Sequence, residues 1–162
     1  MDDMVRIQNQ NKELCDRYPF LIPWNRFSGK LCIDDPDFPD FDWSFTELDD
    51  MPNGWRKAFG IDMCEEIRNE LIRTGDLYRW RIFQLKEKYG VLRLYDNGHP
   101  KDSRIPDIIS KYEQISERTC IVCGKPATWI TMGWICPYCD DCCPKGRSES
   151  IDEYYGEDKE NG

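Results

Sequence analysis

The chain reads as an α+β protein: small helices packed on a β-hairpin or antiparallel sheet, with a C-terminal tetracysteine module. Three observations lead there. Apolar residues recur at helical spacing in "WRKAFGIDMCEEIRNELIRT" (55–74) and again in 103–118. Between them, "LYRWRIFQLKEKYGVLRLY" (77–95) alternates with period two around a turn. After them, paired cysteines crowd into 119–144. The organisation that follows is a body over 1–118, the cysteine module over 119–144, and an acidic tail over 145–162.

The first helix is expected over 4–18, with Val5, Ile7, Leu14 and Cys15 as its apolar positions. Pro19 ends it, because the residue before a proline avoids the α region. The stretch 18–29 is aromatic and broken by prolines, and reads as a packed loop. Residues 31–55 form an acidic aromatic segment. It carries Asp34, Asp35, Asp37, Asp40, Asp42, Asp49 and Asp50 among Phe38, Phe41, Trp43 and Phe45, and no lysine or arginine. The plain reading is a solvated loop with one short strand near 41–48. The sharper reading is an acidic surface that binds a partner. Its spacing is not that of a calcium-binding EF-hand loop.

In the helix 55–74, Ile61, Cys64, Ile67 and Leu71 make the apolar stripe, and Gly75 suits the residue after the C-cap. Glu65, Glu66 and Glu70 then face water. In the hairpin, Tyr78, Trp80 and Ile82 share one face, Arg79, Arg81, Phe83 and Leu85 the other, and Lys88-Tyr89-Gly90 makes the turn. Helix 103–118 has Ser103 as its expected cap and Pro106 in its first turn. The tail beyond 144 is polar and is expected to be disordered, with Ile151, Tyr154 and Tyr155 as anchors.

Composition narrows the function classes. The chain has 162 residues, 40% of them hydrophobic and 13% aromatic, which is enough for a core. Its net charge of −9 disfavours blanket nucleic-acid binding through a basic surface. The N-terminus has no apolar leader, and no run reaches the ~20 apolar residues of a membrane span. A cytoplasmic protein is expected. In a reducing compartment, nine cysteines point to metal or redox chemistry, not to disulfides.

The module begins with "CIVCGKPA", where Cys120 and Cys123 form a C-x-x-C-G turn. Such a turn converges two thiolates while backbone amides point at the sulfurs. The second half, "CPYCDDCC", offers Cys136 with Cys139, Cys139 with Cys142, or a pair using Cys143. Cys120, Cys123, Cys139 and Cys142 have the C-x2-C-x15-C-x2-C spacing of zinc ribbons, and "TWITMGWI" between them is rich in β-formers. A closed four-thiolate site is structural, since a catalytic zinc keeps a position for water. Rubredoxin-like iron is the competing metal. Glutaredoxin chemistry at CPYC is disfavoured, because no strand–helix unit follows it. His99 sits on a turn far upstream of the cysteines.

"LDDMPNGWRKAFG…MCEEIRNEL", "QLKEKYGVLRLYDNG" and "RTCIVCGKPATWITMGWICPYCDDC" together resemble a zinc-ribbon-containing family carried by bacteriophages, prophages and other mobile elements of bacteria. The resemblance covers roughly residues 46–143. The family motif, CxxCG, then Gly-Trp, then C-D-x-C or C-D-x-H, is met by Cys120, Cys123, Gly133-Trp134, Cys139 and Cys142. That leaves Cys136 as an extra thiol. The resemblance implies a bacterial host cell and no particular activity. Small acidic proteins of such elements often disable host factors, CRISPR nucleases and restriction enzymes among them.

Two functional expectations follow. The first is a non-enzymatic protein with a structural Zn²⁺ that binds a host or phage protein of nucleic-acid metabolism or defence through its acidic surface, as an anti-CRISPR-type inhibitor would. The second is nucleic-acid binding through the hairpin, using Arg79, Arg81, Lys86, Lys88 and Arg93 with Tyr78 and Trp80. The charge balance favours the arginines lying over aromatic neighbours and pairing with 34–50. Gln84-Leu85-Lys86 is a faint echo of a nuclease tripeptide, without the aspartate such sites need.

Overall fold

The computed structural model describes residues 2–156, and it is an α+β protein. Helix α1 spans Asp3–Arg17. Short helix α2, Asn53–Trp55, runs through a π-helical stretch at Arg56–Gly60 into α3, Ile61–Thr74. Strands β1, Ile82–Lys88, and β2, Val91–Asp96, form an antiparallel hairpin. Helix α4, Ile105–Glu117, leads into the cysteine-rich region. There β3, Trp129–Thr131, is flanked by β4, Pro137–Tyr138, and β5, Ser148–Ser150, in the order β4-β3-β5. Helix α5, Ile151–Tyr155, follows. Among the described residues, no helix is long and apolar enough to cross a membrane.

The core lies between α3, α4 and the inner face of the hairpin. Phe20, Leu48, Trp55, Ile67, Trp80 and Leu92 are fully buried there. A β-bulge decides how the hairpin meets this core. Ile82 pairs with Asp96, and Gln84 with Tyr95, so β1 carries one residue more than β2. The extra residue reverses the alternation, and Leu85 joins Ile82 on the buried face instead of opposing it.

Helix α3 also departs from the simple stripe. Ile61 is exposed, and the buried positions are Met63, Cys64, Ile67, Glu70 and Leu71. The expected Cys64, Ile67 and Leu71 are buried, and the buried face is wider than that stripe, taking in Met63 and Glu70. Glu70, expected in water, is buried and carries its charge inside. The carboxylate accepts from Arg73 Nε at 3.0 and 3.2 Å, from the Arg104 amide at 2.9 Å and from Arg104 Nε at 3.3 Å. These donors, Arg73 first, lower its pKa to about 2. Glu65 and Glu66 stay partly exposed and pair with Arg17 and Lys111.

Other local expectations are corrected. Val5 and Ile7 are exposed on α1, which buries Asn11 and Cys15. No strand forms at 41–48. Trp43 takes a left-handed φ of 61°, its carbonyl is held by Asn11 Nδ2 at 2.8 Å, and Asp42 accepts from the Ser44 amide. These turn bonds compete with extended backbone. Arg104, not Ser103, occupies the cap position of α4, and the buried Ser103 hydroxyl has no partner among the described residues. The expected disordered tail instead supplies β5 and α5 over 148–155; residues 157–162 lie outside the described residues.

Candidate metal centre

Two turns bring the cysteines together. The Gly124 amide donates to the Cys120 carbonyl at 3.0 Å, and the Cys120 amide to the Lys125 carbonyl at 2.8 Å, closing the first CxxC turn. In the second, the amides of Cys142 and Cys143 both donate to the Cys139 carbonyl, at 3.2 and 3.1 Å. Strands β3 and β4 set the two turns side by side.

The Sγ atoms of Cys120, Cys123, Cys139 and Cys142 all lie within 4.8 Å of one another. Cys123 and Cys139 approach to 3.5 Å, far beyond the ~2.05 Å of a disulfide. A tetrahedron with metal–sulfur bonds of about 2.3 Å has edges of about 3.8 Å. The four sulfurs therefore form a donor set compatible with a metal site. Cys120 and Cys139 are buried, and Cys123 and Cys142 half-buried.

The electrostatics suit a cation. Burial alone would raise the Cys120 pKa, but the backbone amides of Cys139, Cys123 and Val122 outweigh it and bring it to about 7. Cys142 moves the other way, to about 12, through hydrogen bonding with Cys139, burial, and the nearby Cys123 and Cys120. Four thiolates this close repel one another, and a bound cation would offset that repulsion.

The neighbouring cysteines stand apart. Cys136 is buried, and burial followed by the Glu87 charge pushes its pKa up to about 11. The Cys143 thiol turns to the Pro144 carbonyl, 3.6 Å away. The two thiols of CPYC are thus placed apart: Cys139 belongs to the cluster and Cys136 packs inside. Cys15 and Cys64 are core residues, each raised to about 12 chiefly by burial. His99 is not among the clustered donors: its Nδ1 meets Asp96 at 2.8 Å, and Trp80 Nε1 donates to the same carboxylate.

The centre is built into the body. The Gly54 amide donates to the Ile121 carbonyl at 2.9 Å, and Trp55 Nε1 to the Thr119 carbonyl at 2.9 Å. The approach is so close that a Cβ on Gly54 would fall 2.2 Å from the Cys120 carbonyl oxygen. A Cβ on Gly124 would fall 2.6 Å from the Gly54 oxygen. Sequence reading missed this seam; the adjacent "NGW" and "CGK" glycines were its available signal.

The other candidate residues divide. Asp35 is buried and accepts from Ser28, from Asn25 Nδ2 at 3.0 Å and from the Asp37 amide at 2.9 Å, and its pKa is lowered, Ser28 contributing most. Asp42 caps its own turn, and Asp49 closes a capping box with Thr46 and pairs with Arg56. Asp34, Asp37, Asp40 and Asp50 are exposed. Residues 77–81, expected in the hairpin, precede β1: Tyr78 is exposed and Trp80 fully buried, so they share no face, and Arg79 pairs with Asp76, whereas Arg93 on β2 pairs with Glu113. Lys86 and Lys88 lie over Tyr95 and Tyr89. The expectation for the arginines is therefore corrected: it is the lysines that cover aromatic rings, while Arg79 and Arg93 pair with Asp76 and Glu113 and not with 34–50.

Compared with family models, curated proteins and solved structures, the chain matches none.

Proposed function

We propose that Cys120, Cys123, Cys139 and Cys142 hold a structural Zn²⁺, and that the chain is a non-enzymatic interaction protein of a bacterial mobile element. Its partner in this reading is a host or phage protein of nucleic-acid metabolism or defence, engaged as an anti-CRISPR-type inhibitor would engage its target. A structural role is preferred because four sulfurs in tetrahedral reach fill the coordination of a Zn²⁺ ion and leave it no open position. Bound there, the ion supplies folding energy and charge compensation.

One observation carries the interaction reading. Phe27 is 100% exposed at the apex of a braced loop. The loop is closed by the Asn25 amide to the Lys30 carbonyl at 2.8 Å and the Gly29 amide to the Asn25 carbonyl at 2.8 Å. Asn25 Oδ1 accepts from the Phe27 amide, while Asn25 Nδ2 and the Ser28 hydroxyl anchor the loop on Asp35. A rigid loop that holds a phenylalanine in water is organised for insertion into an apolar pocket. The exposed Asp34, Asp37 and Asp40 follow in the same segment, which suits a pocket with a basic rim.

The test is affinity capture from a bacterial lysate with and without nuclease, followed by titration of the retained protein. A stoichiometric protein that survives nuclease is expected. Phe27→Ala should weaken its binding by about 2 kcal/mol, roughly 30-fold. Joint Asp34→Asn, Asp37→Asn and Asp40→Asn changes should slow association and flatten its salt dependence. Retention that vanishes with nuclease, or equal binding by all variants, contradicts the reading.

A further inference from the structure

The tip of the β3–β4 turn has chemistry opposite to that of the Phe27 loop. Trp134 is 79% exposed there, on a turn whose preceding Gly133 takes φ 88°. The Thr131 hydroxyl fixes the turn by donating to the Trp134 carbonyl at 2.6 Å. Clefts open on both sides of the indole. One, of about 350 Å³, is lined by Tyr138, Lys145 and Arg147 among others. The other, of about 160 Å³, is lined by Glu87, Tyr89 and Ile135.

The second cleft exists because the body hairpin meets the ribbon. Gly90 sits so close to Ile135 and Cys136 that a Cβ there would lie 3.1 Å from the Ile135 oxygen. Tyr89 is thereby carried beside the tip, 71% exposed, with Lys88 over its ring at 5.9 Å. Its φ of 53° is the left-handed region, which glycine and asparagine occupy more readily than tyrosine in such turns. The one carboxylate in the cleft, Glu87, is engaged by the Gly90 amide at 2.6 Å. Lys145 and Arg147 are both exposed, and neither makes an ion pair among the described residues. Aromatic rings alternating with cations are what a single-stranded nucleic acid requires: faces for its bases and charges for its phosphates.

We infer that the Tyr89–Trp134–Tyr138 edge, with Lys88, Lys145 and Arg147, is a contact surface for single-stranded nucleic acid. It is separate from Arg79, before β1, and Arg93, on β2, which are committed to ion pairs. The net charge of −9 opposes approach at long range, so binding is weak, local and not sequence-selective.

The probe is a fluorescein-labelled oligothymidylate about 20 nucleotides long, titrated with the full chain and followed by anisotropy at low salt. Binding is expected, with log K falling against log salt by about 0.7 for each phosphate neutralised, or about 2 for three cations. Trp134→Ala should weaken binding about tenfold or more, and Trp134→Phe should restore part of the loss. Arg147→Ala should reduce the salt slope by about 0.7. Unchanged metal content in each variant shows that the fold is kept. No binding by the wild-type protein at low salt overturns the inference. So does equal binding by Trp134→Ala. If Trp134→Ala abolishes capture of a protein while the oligonucleotide never binds, the tip serves a protein and the inference falls. The Phe27 reading stands or falls separately, because its variants leave this surface intact.

Discussion

Glu70 shows how a single residue can be misread from periodicity and still be explained by chemistry. Its position on α3, three residues after Ile67 and next to Leu71, lies on the buried face, and a bare carboxylate there would be costly. Arg73 and the backbone and side chain of Arg104 compensate it. Because the folded pKa is about 2 against an ordinary 4.5, the stabilisation is present above about pH 4.5 and is lost as pH falls toward 2. Glu70→Gln should destabilise the protein at neutral pH, by leaving Arg73 and Arg104 without their anion. It should also flatten the loss of stability across that acid window by up to one proton's slope. Chemical denaturation at several pH values reads both effects; parallel profiles for wild type and variant would contradict the account. The cysteine spacing was legible at this scale because ligand geometry demands fixed local intervals. The carboxylate network was not, because its partners come from α3 and the start of α4.

Elements were legible where a period persists. Helices α3 and α4 and the β1–β2 hairpin announce themselves by apolar spacing. Strand β5 does not: "SES" has no apolar alternation, and backbone pairing with β3 alone makes it a strand. The expected strand at 41–48 fails for the opposite reason, since alternating aromatics there pack on one another and meet no neighbouring strand. The seam between α2 and the first cysteine turn was equally silent, because it is made of backbone. Gly54→Ala should cost about 1–3 kcal/mol by forcing that seam apart, while the four sulfurs still bind metal. A melting curve with parallel metal analysis tests this; a variant as stable as wild type would show that the seam is looser than described.

At the scale of the whole molecule, the cysteine turns and the body share one structure. Trp55 is buried against Thr119, and Gly54 against Cys120 and Ile121. The proposed ion therefore holds more than a ribbon. Structural zinc contributes apparent binding energies of about 10–16 kcal/mol in small peptides, against a typical total stability of about 5–15 kcal/mol. Chelation should accordingly loosen α2 and the Trp55 environment along with β3–β5, visible as a shift in tryptophan emission. The distribution of charge is the other property of the whole: aspartates with the Phe27 loop, and at the Trp134 tip Lys145 and Arg147, which make no ion pair among the described residues. A net charge of −9 conceals that division.

The most direct test of the central claim is the metal content of the purified chain and of six single cysteine-to-serine variants, at 120, 123, 136, 139, 142 and 143. Zinc at one ion per chain is expected in the wild type, in Cys136→Ser and in Cys143→Ser. Loss is expected in Cys120→Ser, Cys123→Ser, Cys139→Ser and Cys142→Ser. A wild-type protein that binds no metal, or loss in Cys136→Ser with retention in Cys142→Ser, would contradict the account.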